Sequence, residues 1–153
     1  MKHFNDLYSE HYKSVYRLAF RFLNDHESAA DISQDVFVYL YKSITKNAEI
    51  ENVKAWLLKV TSNLSLAHIR KNRRILDLRK EVQNEIKKEN RSNSEVLLAL
   101  QQLNDKDRIL LTLYSEGLSY KELSETAGIK FTSVGKTLSR ALKKLKDEVE
   151  RRK

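Results

Sequence analysis

The sequence predicts an all-α protein: two small helical domains joined by a charged linker. Three observations carry this expectation. Apolar residues recur every three or four positions along most of the chain, the spacing of one helix face. The 153 residues include 3 Gly and no Pro, so the punctuation that strands and tight turns require is nearly missing. Over residues 76–95 the apolar pattern lapses and five bases balance five acids, as in a helical linker or a mobile tether. Split in this way, each half would bury only about 60 % of its unfolded surface, so any further surface it covers matters for stability.

Taken in order, Phe4, Leu7, Tyr8, Tyr12, Val15, Tyr16, Ala19, Phe20 and Leu23 predict a first helix over 5–23. Asn24 with Glu27 three residues on reads as a capping box that opens a second helix. That helix runs to residue 44, with Ala29, Ala30, Ile32, Val36, Phe37, Leu40 and Tyr41 as its apolar side. A polar connection over 46–52 leads to a third helix that starts at Val53, carries Trp56, Leu57, Val60, Leu64 and Ile69, and ends in a basic run to residue 74. These three helices make a first domain over 1–75, followed by the linker over 76–94 and a second domain over 95–153.

Ser92 with Glu95 gives a second capping-box pattern, followed by Val96, Leu97, Leu98, Leu100 and Leu103. A helix over 106–115 stops before Gly117. Ser119 with Glu122 starts a short helix to residue 126, and Gly128 ends it, as a glycine just past a helix end does. The last helix, over 132–150, has Val134, Leu138, Leu142, Leu145 and Val149 as its buried stripe.

Charge is distributed in blocks. The net charge is +8, yet residues 52–74 hold six bases and no acid, and residues 126–146 again hold six bases and no acid. Residues 22–41 reverse the sign, with Asp25, Glu27, Asp31 and Asp35 and no Lys or Arg. The pattern predicts two basic surfaces for nucleic acid and one acidic surface for a basic partner.

Several function classes are excluded or disfavoured. Without Cys there is no disulfide, thiolate metal site or thiol nucleophile. The four histidines lack metal-ligand spacing, so no metal or cofactor is expected. Asp31 and Asp35 share a helix face, but no His or phosphate-cradling loop accompanies them, so no catalytic residues are assigned and no enzyme is expected. No apolar run approaches the roughly 18–20 residues that span a bilayer, and the first residues lack the apolar core of a signal peptide, which predicts a cytoplasmic protein without membrane insertion.

Two stretches carry the nucleic-acid chemistry. The run Ser119 to Leu138 pairs a short capped helix, a tight turn through Gly128 and a longer basic helix, which is a helix-turn-helix. Leu123, Ala127, Ile129, Val134 and Leu138 would pack its two helices. That leaves Thr132, Ser133, Lys136, Ser139 and Arg140 outward, with Lys143 one turn on, and short hydroxyls and long bases suit base edges and flanking phosphates. Trp56, Lys59, Asn63, His68, Arg70, Lys71, Arg73 and Arg74 suit a single strand, whose bases stack and whose phosphates pair with cations. Trp56 is more often a core residue than a stacking one, and Asn63 with the Arg and Lys residues carries the signal better.

These residues resemble those of the extracytoplasmic-function sigma factors, the small promoter-recognition subunits of bacterial RNA polymerase. Ala30-Asp-Ile-Ser-Gln-Asp-Val-Phe37 is similar to that family's core-binding motif. Ala55-Trp-Leu-Leu-Lys-Val-Thr-Ser-Asn63 with His68-Ile-Arg70 resembles its signature for melting and reading the −10 element. Leu103-Asn-Asp-Lys-Asp-Arg108, Gly117-Leu-Ser-Tyr-Lys-Glu-Leu123 and Arg140-Ala141 resemble its −35-reading domain. The resemblance implies a region 2-like three-helix domain and a region 4-like helix-turn-helix domain. It further implies that Asp31, Gln34, Asp35 and Phe37 dock on a basic coiled coil of the polymerase core, that Asn63, His68 and Arg70 follow the melted −10 strand, and that Ser133, Lys136, Ser139 and Arg140 read the −35 duplex. The 46–52 connection would help hold a flipped base. Many members are held inactive by an anti-sigma factor wedged between the domains, which makes such a protein a candidate partner. Departures from the family pattern at Ala67, Ser124, Gly135 and Thr137 bear on which promoter sequence is read.

Two rival readings use parts of the same sequence. A stand-alone helix-turn-helix regulator explains the C-terminal half but leaves the acidic helix and the 56–74 block without a role. A helical adaptor that binds only proteins leaves twelve bases in two acid-free stretches unused.

Overall fold

The computed structural model describes residues 3–78 and 94–153. Seven α-helices make up the described residues, with no strand among them: α1 (Phe4–Leu23), α2 (His26–Thr45), α3 (Val53–Leu78), α4 (Glu95–Gln102), α5 (Asp105–Ser115), α6 (Tyr120–Ala127) and α7 (Val134–Arg151), the last preceded by a 3-10 turn over Phe131–Ser133. The all-α expectation is met. The linker expected over 76–94 meets the structure at both ends: α3 continues four residues past 74, and residues 79–93 lie outside the described residues.

The helix ends follow from side-chain chemistry, with two corrections. Asn24 does not open α2. It closes α1 in the left-handed conformation (φ 48°, ψ 43°), its N–H donating to the Phe20 carbonyl, because asparagine tolerates that region better than other side chains with a Cβ. Asp25 is the cap of α2, its carboxylate accepting from the Ser28 N–H at 3.3 Å. At the start of α4 the cap is Ser94, accepting from the Leu97 N–H, rather than Ser92, which lies outside the described residues. Asn104 caps α5 by accepting from the Asp107 N–H at 2.9 Å. The Ser119–Glu122 box forms as expected: the Ser119 hydroxyl accepts from the Glu122 N–H at 3.1 Å, and the Glu122 carboxylate accepts from the Ser119 N–H at 3.0 Å. Gly128 ends α6 at φ 71°.

Two apolar clusters hold the helices. One joins α1, α2 and α3 through Val15, Ala19, Val36, Leu40 and Leu57. The other fills the C-terminal half with Leu110, Leu113, Leu123, Val134 and Leu138, and it also takes Leu18 and Phe22 from α1 and Leu58 and Leu66 from α3. Thus α1 and α3 each bury two faces, and the halves are packed against one another. Full burial of a Leu or Phe side chain contributes about 1.5–3 kcal/mol, so Leu18 and Phe22 alone are a sizeable part of this docking. A third feature is local to the outer side of α1: Phe4, Tyr8, Tyr12, Tyr16 and Phe20 are spaced by four and form a ladder of neighbouring rings, ending on His26, whose ring stacks on Phe20 at 4.2 Å.

Gly135 lies inside α7 without a positive φ, and a Cβ there would meet the Tyr120 ring at 3.6 Å, an ordinary contact. Replacing Gly135 by Ala is therefore expected to stabilise the protein by up to about 1 kcal/mol, read as a higher urea midpoint at unchanged slope.

Candidate nucleic-acid interface

The helix-turn-helix is built from α6, the Gly128 turn and α7. Leu123, Val134, Leu138 and Ala141 are buried between them, with Ala127 and Ile129 packed alongside. The Ser124 hydroxyl bridges to the Ile129 carbonyl across the turn. With that stripe turned inward, Thr132, Lys136, Ser139, Arg140 and Lys143 are exposed and Ser133 is half-buried at the head of α7. The outward set expected from helical spacing therefore shares one face. Lys144, by contrast, is drawn to the buried Asp107 of α5 at 3.0 Å.

Helix α3 presents a second basic row. Lys59, Asn63, Arg70, Lys71, Arg73 and Arg74 are exposed. Thr61, Ser62 and Ser65 sit on the opposite, buried side. Thr61 and Ser62 satisfy their hydroxyls by donating to the Leu57 and Leu58 carbonyls at 2.7 and 2.8 Å, one turn back. Trp56 is half-buried against the α1–α2–α3 cluster, which is the core role rather than a free stacking platform. His68 is half-buried beside Asn72, 3.1 Å away. Arg73 and Arg70 lean toward Asp105 at the head of α5, at 3.2 and 3.8 Å, so two members of the row touch the other half of the molecule.

A buried carboxylate ties these elements together. Glu116, just after α5, has a side chain 1 % exposed. Arg17 grips it with two hydrogen bonds, Nε at 2.7 Å and Nη2 at 2.6 Å, and Arg21 adds a third from Nη1 at 2.8 Å. The hydrogen bond to Glu116 holds the Arg17 guanidinium above its ordinary pKa, against burial, which works to lower it, and with the carboxylate charge adding to the rise. Lys54 at the start of α3 donates to the Glu116 backbone carbonyl at 3.1 Å. Nearby, Asn52 caps α3 by accepting from the Ala55 N–H at 3.1 Å and donates to Glu122 at 3.0 Å. Arg108 is buried, donating to the Phe22, Gln101 and Leu103 carbonyls, and burial lowers its pKa. None of these long-range partners is visible in sequence spacing.

On α2, Asp31, Gln34 and Asp35 are exposed along one side. Phe37 lies at the floor of that surface, among the residues that line the groove beside it. It is 3 % exposed and ringed by Phe4, Tyr8 and Tyr12, so it supports the face from beneath. The side chains beside Gln34 that do reach the surface are Val38 and Tyr41, 45 % and 55 % exposed. With Phe4, Tyr8 and Gln34 they line a groove of about 690 Å³ that also includes Lys42 and Thr45. The sequence signal is present for Val38, an apolar residue where the helix period places the polar side, whereas the same period counts Tyr41 with the apolar side and the structure exposes it.

Residues 7–75 match the Sigma-70 region 2 family and residues 93–145 match the Sigma-70 region 4 family. The chain is 28 % identical over 159 residues to the ECF RNA polymerase sigma factor SigE of Mycolicibacterium smegmatis, covering 96 % of this chain and 62 % of that protein. It is 26 % identical over 139 residues to the RNA polymerase sigma factor SigV of Bacillus subtilis, covering 88 % and 84 %. Among solved structures its fold is similar to the sigma factor RpoE in complex with the anti-sigma factor NepR from Bartonella quintana (TM-score 0.76, 20 % identity, 96 % of each chain). It is also similar to CnrH in complex with the cytosolic domain of CnrY (TM-score 0.72, 21 % identity, 96 % and 87 % covered).

Replacing Glu116 by Gln is expected to cost about 1–3 kcal/mol, less than for a fully buried pair because the arginines keep access to water. Small-angle scattering should then report a larger radius of gyration as the halves separate. Glu122 makes a pH prediction. The Ser119 N–H first, then the Asn52 amide, hold its carboxyl below the ordinary 4.5. A depressed acid contributes stability that is present above its unfolded value and lost as pH falls through the folded one. Unfolding free energy should fall on acidification below about 4.5, and the drop should be smaller in Glu122→Gln.

Proposed function

The chain belongs to the extracytoplasmic-function (ECF) family of sigma-70 factors, and from that premise we propose that it binds the bacterial RNA polymerase core and directs it to promoters of one sequence class. The observation that carries this reading is the succession, in one chain, of an acidic exposed helix face and two acid-free basic rows, within segments that match regions 2 and 4 in order. A stand-alone regulator would have no use for the first of these.

In this reading the domains are residues 1–75 and 95–153, joined by a linker over 76–94. Asp31, Gln34 and Asp35, with Val38 and Tyr41 beside them, dock on a basic coiled coil of the core, while Phe37 holds the helix face in shape. Asn63, Lys71 and Arg74, with Lys59 toward the start of α3, follow the melted −10 strand, and Arg70, Arg73 and His68 join them once the halves part. Trp56 anchors α3 rather than stacking on a base. Thr132, Ser133, Lys136, Ser139, Arg140 and Lys143 meet the −35 duplex, the short hydroxyls at base edges and the bases at phosphates. Two weak DNA contacts on one tether reinforce each other through effective concentration.

The protein acts without a cofactor and without catalysis of its own: bond formation belongs to the polymerase. No described helix is long and apolar enough to cross a membrane, and the site of action is the cytoplasm, where the polymerase works. The similar RpoE and CnrH structures each hold a second protein, NepR or CnrY. That supports an anti-sigma factor as a further partner of this chain.

The test is co-purification with polymerase core, followed by run-off transcription on genomic fragments. Stoichiometric binding with new start sites is the expected result. Tight duplex binding by the protein alone, with no core binding, would favour the stand-alone regulator instead. Reversing both charges, Asp31→Lys with Asp35→Lys, is expected to weaken core binding at least tenfold (about 1.4 kcal/mol) at unchanged helicity by circular dichroism; normal core affinity in that variant would refute the docking assignment.

A further inference from the structure

The most exposed large apolar side chain among those recorded as exposed is Phe131, at 59 %. It stands at the first residue of the 3-10 turn that leads into α7, between Lys130 and Thr132. The backbone there is secured, since the Ser133 N–H donates to the Lys130 carbonyl at 2.9 Å and the Val134 N–H to the Phe131 carbonyl. The ring is therefore held outward by an ordered turn, and it takes part in none of the aromatic pairs formed among the described residues.

The surroundings are those of a DNA-facing helix head. Lys130, Thr132, Lys136 and Arg140 are exposed around it, with no acid in residues 126–146. Gly135 follows one turn later, and the space its Cβ would take is bordered by Tyr120 at 3.6 Å. The exposed ring thus sits amid cations, where a protein partner's apolar patch is a poor match but the edge of a duplex is a good one.

A major groove offers one kind of apolar group, the C5-methyl of thymine. We propose that Phe131 reads that methyl group at a thymine of the upstream promoter element, adding an apolar specificity contact to the hydroxyl and cation contacts of α7. This rests on the duplex-reading role given to α7 above. It assigns to this chain a preference for a 5-methylpyrimidine at one register position, next to the base edge read by Thr132.

The experiment uses the full chain bound to polymerase core and promoter duplexes obtained by run-off transcription. Each thymine of the upstream element is replaced in turn by deoxyuridine, which removes the methyl and keeps every hydrogen-bonding group. With the unaltered protein, one position should lose about three- to fivefold in affinity, the factor for burying one methyl group. Phe131→Ala should bind the thymine duplex that much more weakly and be indifferent to uracil at the same position, while Phe131→Leu should keep part of the sensitivity. Thermal melting checks that both variants fold, as an exposed side chain predicts. Indifference of the unaltered protein to uracil at every position would overturn the proposal, as would full sensitivity in Phe131→Ala. Loss of core binding in that variant with an unchanged thymine-to-uracil ratio would also overturn it and assign the ring to a protein contact. Failure of the whole complex to bind any duplex would instead refute the promoter-directing reading itself.

Discussion

The docking of the two halves depends on one buried carboxylate. Glu116 is shut away from water where the end of α5 meets α1, and a charge in that position persists only if it is paired and fully hydrogen-bonded. Arg17 and Arg21, one turn apart on α1, supply the pairing, and Lys54 reaches the same residue's carbonyl from α3. The three bases come from both helices that bury a second face. The apolar contacts of Leu18, Phe22, Leu58 and Leu66 supply the larger part of the free energy, because hydrophobic burial is non-directional and scales with area. The ion pair adds the directionality: other apolar arrangements of the halves would leave Glu116 desolvated without its arginines.

Helix α3 shows how one element serves three purposes. Leu57 points to α1 and α2, Leu58 and Leu66 to the C-terminal half, and the residual arc carries Lys59, Asn63 and Lys71. Inside a helix that buries two faces, Thr61 and Ser62 satisfy their hydroxyls by bonding to their own helix. The basic row is what remains after packing is satisfied. Its far end is not independent of the docking, since Arg70 and Arg73 lean on Asp105, and Asn52 before α3 is bonded to Glu122. Parting the halves would release these side chains together.

The α1–α2 pair is organised differently, around rings. The ladder from Phe4 to Phe20 covers Phe37 and leaves Val38 and Tyr41 beside the acidic edge of α2. The groove beside them is largely apolar, with Gln34, Lys42 and Thr45 as its polar members. Rigid aromatic rings lose little side-chain freedom on binding, so such a surface is largely preorganised.

Local patterns in the sequence determined much of this protein. Helical periodicity located the helices among the described residues, the Ser119–Glu122 box and Gly128 marked both ends of α6, and the stripe of Val134 and Leu138 settled which side of α7 faces out. These features were legible because each is decided within a turn or two of chain. Where two neighbouring patterns competed, the reading slipped: Asn24 resembles a cap for α2 yet closes α1, since a residue that tolerates the left-handed region is worth more at that helix end while Asp25 serves as the cap. Only the tertiary structure decided the rest. Glu116 and Arg17 are 99 residues apart, Asn52 and Glu122 are 70, and no spacing rule connects them. The inward turn of Phe37, the half-burial of Trp56 and the outward stance of Phe131 likewise depend on which helices arrive beside them. A side chain's type fixes what it can do, but its neighbours across the fold determine whether it meets solvent, a partner or the core.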